Sequence, residues 1–228
     1  MPDKRPCWWV GAGLFLSVFI VVTSAHSSNE TTDSPALDLP ASECVFSGNF
    51  KQQRVLDGLP EPLQSNGVFF YHCKHGIIWS TQAPIAEALV LRSNGSGFLL
   101  KDSQSKNLKS RQSKFLGKLL NDLMGSDPAS ITSQFDVERL DPQIRKYHLT
   151  PKKRAIKRGV KGITILLPDD NELDQKPAVI TVIDRNAQAT EIQSTRDEVF
   201  SVEQDAASSC DSTAGIAQQS CTLLLGRE

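Results

Sequence analysis

Histidine and cysteine meet in "HCKH" (residues 72–75), a cluster that invites a metal-binding reading. On a strand, neighbouring side chains leave by opposite faces, so His72 and Cys73 cannot reach one ion together. No carboxylate stands beside them to complete a set. His148 stands alone at a strand end, and no G-x-S-x-G elbow, H-E-x-x-H pair or phosphate-cradling loop occurs. Asn29 in "NET" and Asn94 in "NGS" match a glycosylation sequon, a pattern that recurs by chance and matters only in a eukaryotic host. The residue chemistry therefore predicts no enzyme, no metal site and no cofactor.

The cysteines point to a compartment instead. Lys4 and Arg5 precede an apolar stretch from Trp8 to Thr23, and "TSA" follows with small residues suited to cleavage after Ala25. Residues 1–25 read as a secretory signal peptide, because the apolar run of about 16 residues falls short of the roughly 20 that a spanning helix needs. Export discards Cys7 and leaves Cys44, Cys73, Cys210 and Cys221 in an oxidising compartment, where bridging removes thiols as nucleophiles. Three pairings are open. Cys210 and Cys221 bracket the short loop "DSTAGIAQQS" and pair most simply with each other, leaving Cys44 with Cys73.

The elements that position these residues come mostly as strands. A chain of 228 residues, 39% hydrophobic, supports one main core, and a net charge of −1 gives a nucleic-acid partner no electrostatic help. Residues 26–43 are polar and read as a flexible leader. Strand patterns then follow at 45–56, 67–73, 76–82 and 87–93, with a turn at "NGSG" before "FLLKD". From Ser113 the period changes: Phe115, Leu116, Leu119, Leu120, Leu123 and Met124 fall at helical spacing, with Gly125 as the stop. "DPASITSQF" adds a short helical turn. Strands resume at 135–140, 146–150, 162–168, 178–184 and 189–194. Nine or ten strands with few helices make an antiparallel sheet large enough to curl on itself.

Two segments stand apart. "PKKRAIKRGVK" (151–161) carries Lys152, Lys153, Arg154, Lys157, Arg158 and Lys161. It reads either as a contact for anionic lipid or an acidic partner, or as an ordinary solvated face. Residues 201–228 form a C-terminal extension holding the second cysteine pair.

Alternation fixes a register for the first hairpin. Ser47, Asn49 and Lys51 are polar, so Phe46, Gly48 and Phe50 face inward with Cys44. A turn near Gly58 and Leu59 places Phe46 opposite Tyr71, Gly48 opposite Phe69, Phe50 opposite Gly67, and Cys44 opposite Cys73. Each glycine then meets a bulky ring, and two cysteines come within bridging reach. The same parity sends Phe70 to the other surface.

The succession "FSGNFKQ", "LQSNGVFFY", "GIIWSTQAP" and "LVLRSNG" resembles the opening of the periplasmic outer-membrane lipoprotein carriers, the LolA-like family. Phe46, Phe50, Gln52, Gly67, Trp79, Pro84 and Gly95 occupy matching places. The helix "FLGKLLNDLM" and the strand end "HLTPK" resemble the LolA-related branch, and the likeness spans roughly 44–195. It implies, for residues 44–200, a mainly β fold with some helix: an unclosed antiparallel half-barrel whose helical lid covers a hydrophobic cavity. Under that resemblance Phe46, Phe50, Phe69, Tyr71, Ile77, Trp79, Leu89 and Leu91 line the cavity, and Leu116, Leu119, Leu120 and Leu123 belong to the lid. Taken alone, the same residues would serve equally as ordinary packing between sheet and helix.

The function implied is a monomeric periplasmic carrier of lipid or lipoprotein, taking cargo from an inner-membrane donor to an outer-membrane acceptor. The resemblance also admits a lipid or envelope-stress sensor on the same half-barrel, or a carrier of another cargo such as an aryl polyene lipid. One departure is visible. Where well-studied carriers have an Arg-Pro pair that holds the lid, this sequence has Cys73 and Lys74.

Overall fold

A computed structural model describes residues 37–39, 43–125, 127–172 and 175–227. The expected signal peptide, residues 1–25, and the leader up to residue 36 lie outside the described residues. The chain forms one eleven-stranded antiparallel sheet. Its first run contains β1 (Val45–Arg54), β2 (Leu63–His72), β3 (Gly76–Ala83), β4 (Glu87–Arg92), β5 (Gly97–Lys101) and β6 (Gln104–Asn107). Two helices follow, α1 (Ser110–Met124) and α2 (Pro128–Gln134). The second run contains β7 (Phe135–Asp141), β8 (Arg145–Pro151), β9 (Val160–Leu167), β10 (Ala178–Asp184) and β11 (Ala189–Val199). A short helix α3 (Arg154–Lys157) sits between β8 and β9, and α4 (Ala206–Ser212) and α5 (Gln218–Leu225) end the chain.

The strand order β6-β5-β4-β3-β2-β1-β11-β10-β9-β8-β7 explains the place of the helices. Within each run every strand pairs with its sequence neighbour, and β11 closes back on β1. The two edges, β6 and β7, are consecutive in sequence yet lie at opposite ends of the sheet. The chain between them must cross a whole face, and α1 and α2 make that crossing. The sheet is therefore open at both edges, a half-barrel with helices laid over it.

Helix α1 is built for this seat. Leu119 and Leu123 pack on the cluster of Ile131, Phe135, Tyr147, Ile163 and Ile165 from the second run, whereas Leu120 and Met124 pack on the aromatic cluster of the first. Apolar residues at i, i+1, i+4 and i+5 make one stripe that bridges both halves. The helix ends at Gly125, whose N–H bonds the Asn121 carbonyl at 2.7 Å. Helix α2 starts on Asp127, whose carboxylate accepts from the Ser130 N–H at 2.9 Å, with Pro128 in the first turn.

The first hairpin has the register that alternation predicts: Phe46 pairs with Tyr71, Gly48 with Phe69 and Phe50 with Gly67. Its two glycines are there for space. A Cβ on Gly48 would come within 2.7 Å of the Phe69 ring, and one on Gly67 within 2.9 Å of the Phe50 ring. Cys44 and Cys73 are bridged just beyond the strand ends, with Cα atoms 4.9 Å apart, and Cys210 and Cys221 are bridged at 5.8 Å.

Three expectations need correction. The strand β6, "QSKN", adds to the expected strands, because an exposed polar edge shows no apolar alternation. Residues 37–39 of the expected flexible leader are docked: Leu37 is buried in the second-run core, and Asp38 pairs with Arg145 at 3.0 Å. Phe70 is on the other face, as parity requires, but that face is no free surface. Helices α4 and α5 cover it, burying Phe70, Ile78 and Val90 completely.

Candidate functional site

The inner face of the first run is an aromatic floor. Phe50 stacks on Trp79 with ring centroids 4.0 Å apart, Trp79 lies 5.8 Å from Phe69, Phe69 meets Phe46 edge-on at 5.9 Å, and Phe46 continues to Tyr71 at 5.1 Å. Ile77, Leu89 and Leu91 complete the same cluster, so all eight residues named from the sequence share it. Such a face binds through area and shape, without directional bonds.

A cavity of about 90 Å³ lies where this floor meets the second run. Phe46 and Phe69 form one side, Ile165, Leu167, Pro168, Ala178 and Ile180 the other, and Leu123 and Met124 of α1 the roof. Leu39 closes one side, and Ser194, Thr195 and Arg196 supply a polar rim. Small-molecule sites usually enclose about 300–1,000 Å³. The cavity with α1 seated is thus smaller than such sites usually are.

Only Phe46 and Phe69 of the eight touch the open volume; Phe50, Tyr71, Ile77, Trp79, Leu89 and Leu91 are packed behind it. Of the residues expected to belong to a lid, Leu123 lines the cavity, Leu120 packs on the aromatic floor and Leu119 on the opposite half, while the Leu116 side chain lies outside the described set. The second-run wall is not among the residues singled out from the sequence. Its signal was present: Ile163, Ile165 and Leu167 alternate along β9, and Ile163 and Ile165 meet Val182 and Ile180 of β10 in register.

Polar contacts hold the roof. The Tyr71 hydroxyl donates to the Asn121 side-chain oxygen at 3.4 Å, a long bond that ties β2 to α1. Burial raises the Tyr71 pKa, and the neighbouring Asp122 carboxylate raises it further, so the phenol keeps its proton to donate. Asp122 is buried and answered by Lys118 Nζ at 3.0 Å and Gln134 Nε2 at 2.7 Å, which joins α1 to α2.

The potential metal ligands behave differently. Cys44, His72 and Cys73 do converge, their ligand atoms lying within 4.8 Å of one another, but the two sulfurs are bonded to each other and offer no thiolate. His72 is buried, accepts the Lys74 N–H on Nδ1 at 3.1 Å, and lies 4.5 Å from the His75 ring. Its pKa is lowered, first by burial and then by the charges of His75 and Lys74. The folded state therefore resists a proton that the unfolded chain accepts near pH 6.5. Above that pH both states are neutral and stability is full; as pH falls below it the unfolded state binds the proton first and stability declines. Urea unfolding across pH 5–7.5 is expected to show this loss, reduced in His72→Asn, which keeps an acceptor for Lys74. Equal slopes in both proteins would rule the effect out.

Residues 43–201 match the family model described as outer membrane lipoprotein carrier protein LolA. The chain belongs to the LolA family. No curated protein matches the sequence. Among solved structures, a LolA superfamily protein from Nitrosomonas europaea is similar at 10% identity and a TM-score of 0.40, covering 73% of this chain and 91% of that one. An outer membrane lipoprotein-sorting protein domain from Vibrio parahaemolyticus is similar at 10% identity and a TM-score of 0.37, covering 73% and 89%. Within this LolA-family sheet, Lys74 is exposed in the turn between β2 and β3 and, among the described residues, makes no ion pair. The LolA match stops at residue 201, just ahead of α4 and α5.

Proposed function

We propose that this chain is a periplasmic carrier, exported with loss of residues 1–25, that shelters lipid acyl chains or acylated proteins between the aromatic floor and α1. The observation that carries it is the apolar cavity roofed by a single amphipathic helix at the sheet's crossover. An acyl chain in water costs about 0.8 kcal/mol per exposed methylene, so a long chain cannot cross an aqueous space unsheltered. A half-barrel supplies the shelter, and a helix joined to it through side chains and its two connecting ends supplies the door.

Donor and acceptor contacts fall at a different place. The turn between β1 and β2, the turn between β10 and β11, and α3 lie side by side at one end of the sheet, linked by Val55 N–H to the Ala189 carbonyl at 2.9 Å and Arg185 N–H to the Gly159 carbonyl at 3.2 Å. Val55, Leu59 and Leu63 are exposed there, next to exposed Lys153, Arg154, Lys157 and Arg158; Lys152 is engaged with Asp136 at 3.4 Å. Cations beside exposed apolar residues suit an anionic membrane surface. Native mass spectrometry of the protein isolated from its own periplasm is expected to find bound lipid. An empty protein that also refuses acyl probes would sink the carrier reading. With vesicles, replacing Lys153, Arg154, Lys157 and Arg158 by Gln is expected to slow lipid transfer to anionic acceptors without weakening binding; unchanged transfer would remove this surface from the proposal.

A further inference from the structure

The cavity wall is apolar except along β11, and there it carries a charge. Pairing of Phe50 with Ser194 and of Gly48 with Arg196 puts Ser194 and Arg196 on the same inner face as the aromatic floor. Directly after Arg196 the register slips: Ser47 pairs with Glu198, leaving Asp197 as an extra residue in the ladder. Such a bulge redirects side chains. Here it separates Asp197 from its neighbour, because the Asp197 carboxylate accepts hydrogen bonds from the Asn49 amide and from Thr195 Oγ1. Arg196 is left facing the cavity, half-buried, with its guanidinium carbon 4.9 Å from the centre of the Phe46 ring. Among the described residues it has no ion pair.

Arginine stays charged at any physiological pH, so it cannot escape burial by losing its proton. A cation over a phenyl ring gains about 0.5–2 kcal/mol, and a carboxylate or phosphate within reach would add charge-assisted hydrogen bonds to that. The glycine opposite, Gly48, offers no side chain to answer it, and a Cβ there would strike Phe69. What completes the site is an anion placed at the cavity's rim with an apolar chain running inward.

We infer that the cavity selects amphiphiles with an anionic head, the Arg196 guanidinium gripping a carboxylate or phosphate while the chain lies against Phe46, Phe69 and Ile180. The planar fork of arginine matches two oxygens of either group, and the Ser194 hydroxyl on the same face is a further donor. This inference rests on the carrier reading, and its failure is separable from the failure of that reading.

The test is displacement of a neutral dye, Nile red, from the full mature protein by four ligands with one sixteen-carbon chain: palmitate, hexadecyl phosphate, hexadecanol and methyl palmitate. The wild type is expected to bind at least one of the two anions about tenfold more tightly than the alcohol and the ester, the scale of one charge-assisted hydrogen bond. Preference for palmitate alone marks a fatty-acid type of cargo, and preference for the phosphate alone a phospholipid type. In Arg196→Gln the preference is expected to vanish while hexadecanol binds as before, and Arg196→Lys is expected to restore part of it. Because Arg196 makes no ion pair among the described residues and its ring contact is with Phe46, both variants should unfold close to the wild-type midpoint, and raised salt should erode the wild-type preference independently of any variant. Equal binding of all four ligands would overturn the headgroup inference and leave the carrier standing. A preference that survives in Arg196→Gln would overturn the role of Arg196, and binding of none would overturn both readings.

Discussion

A chain ending at Val202 is expected to fail to reach a monodisperse folded state. The family match ends at residue 201, yet among the described residues the outer face of β2, β3 and β4 is covered mainly by the C-terminal helices α4 and α5 and the loop between them, with Phe200 packed beside Phe70. Phe70, Ile78 and Val90 are each 0% exposed under Cys210, Ile216, Cys221, Leu223 and Leu224. Exposing side chains of this size costs about 1.5–3 kcal/mol each. Three of them reach the scale of a domain's whole net stability of about 5–15 kcal/mol. Arg92 Nε also donates to the Leu223 carbonyl, so truncation removes a polar partner as well. Size-exclusion chromatography and urea unfolding measure the outcome. A truncated protein that stays monomeric with an unchanged midpoint would show that α4 and α5 decorate the sheet rather than complete it.

Phe50→Ala is the second large effect, with an expected loss of about 3–5 kcal/mol of stability, as for other buried Phe-to-Ala changes. Phe50 is only 2% exposed, stacks on Trp79 at 4.0 Å and fills the space left by Gly67. Gly67 cannot grow to fill the void, because its own Cβ position is blocked by the Ser80 carbonyl. Since Phe46 and Phe69, and not Phe50, are the floor residues that line the cavity, the folded fraction of the variant is expected to take up acyl probes with near wild-type affinity. A stable variant that binds poorly would reverse this and make Phe50 a wall residue.

Strand parity made much of this legible. Cys44, Phe46, Gly48 and Phe50 alternate with Ser47, Asn49 and Lys51, and a one-residue slip would have turned every aromatic outward. That is why the hairpin register, its glycines and its flanking cysteines could be worked out from residues 44–73 alone. The second face was harder. "VFFYH" and "ALVL" are apolar at consecutive positions, the pattern of strands buried on both faces, but the clean alternation of β1 marks only one side as core.

By itself, then, the sequence determined the local matters: strand period, the first register, the amphipathic stripe of α1 and the cysteine pairs at hand. Those depend on neighbours within a hairpin or a helical turn. Only the tertiary structure decided which distant elements share a space. It placed β9 and β10 across from Phe46 and Phe69, laid α4 and α5 over Phe70, and turned Arg196 into the cavity through a bulge set by pairing β11 with β1. The reason is physical: those contacts join residues about a hundred or more positions apart in the chain, and their partners are chosen by closure of the whole sheet rather than by any local preference.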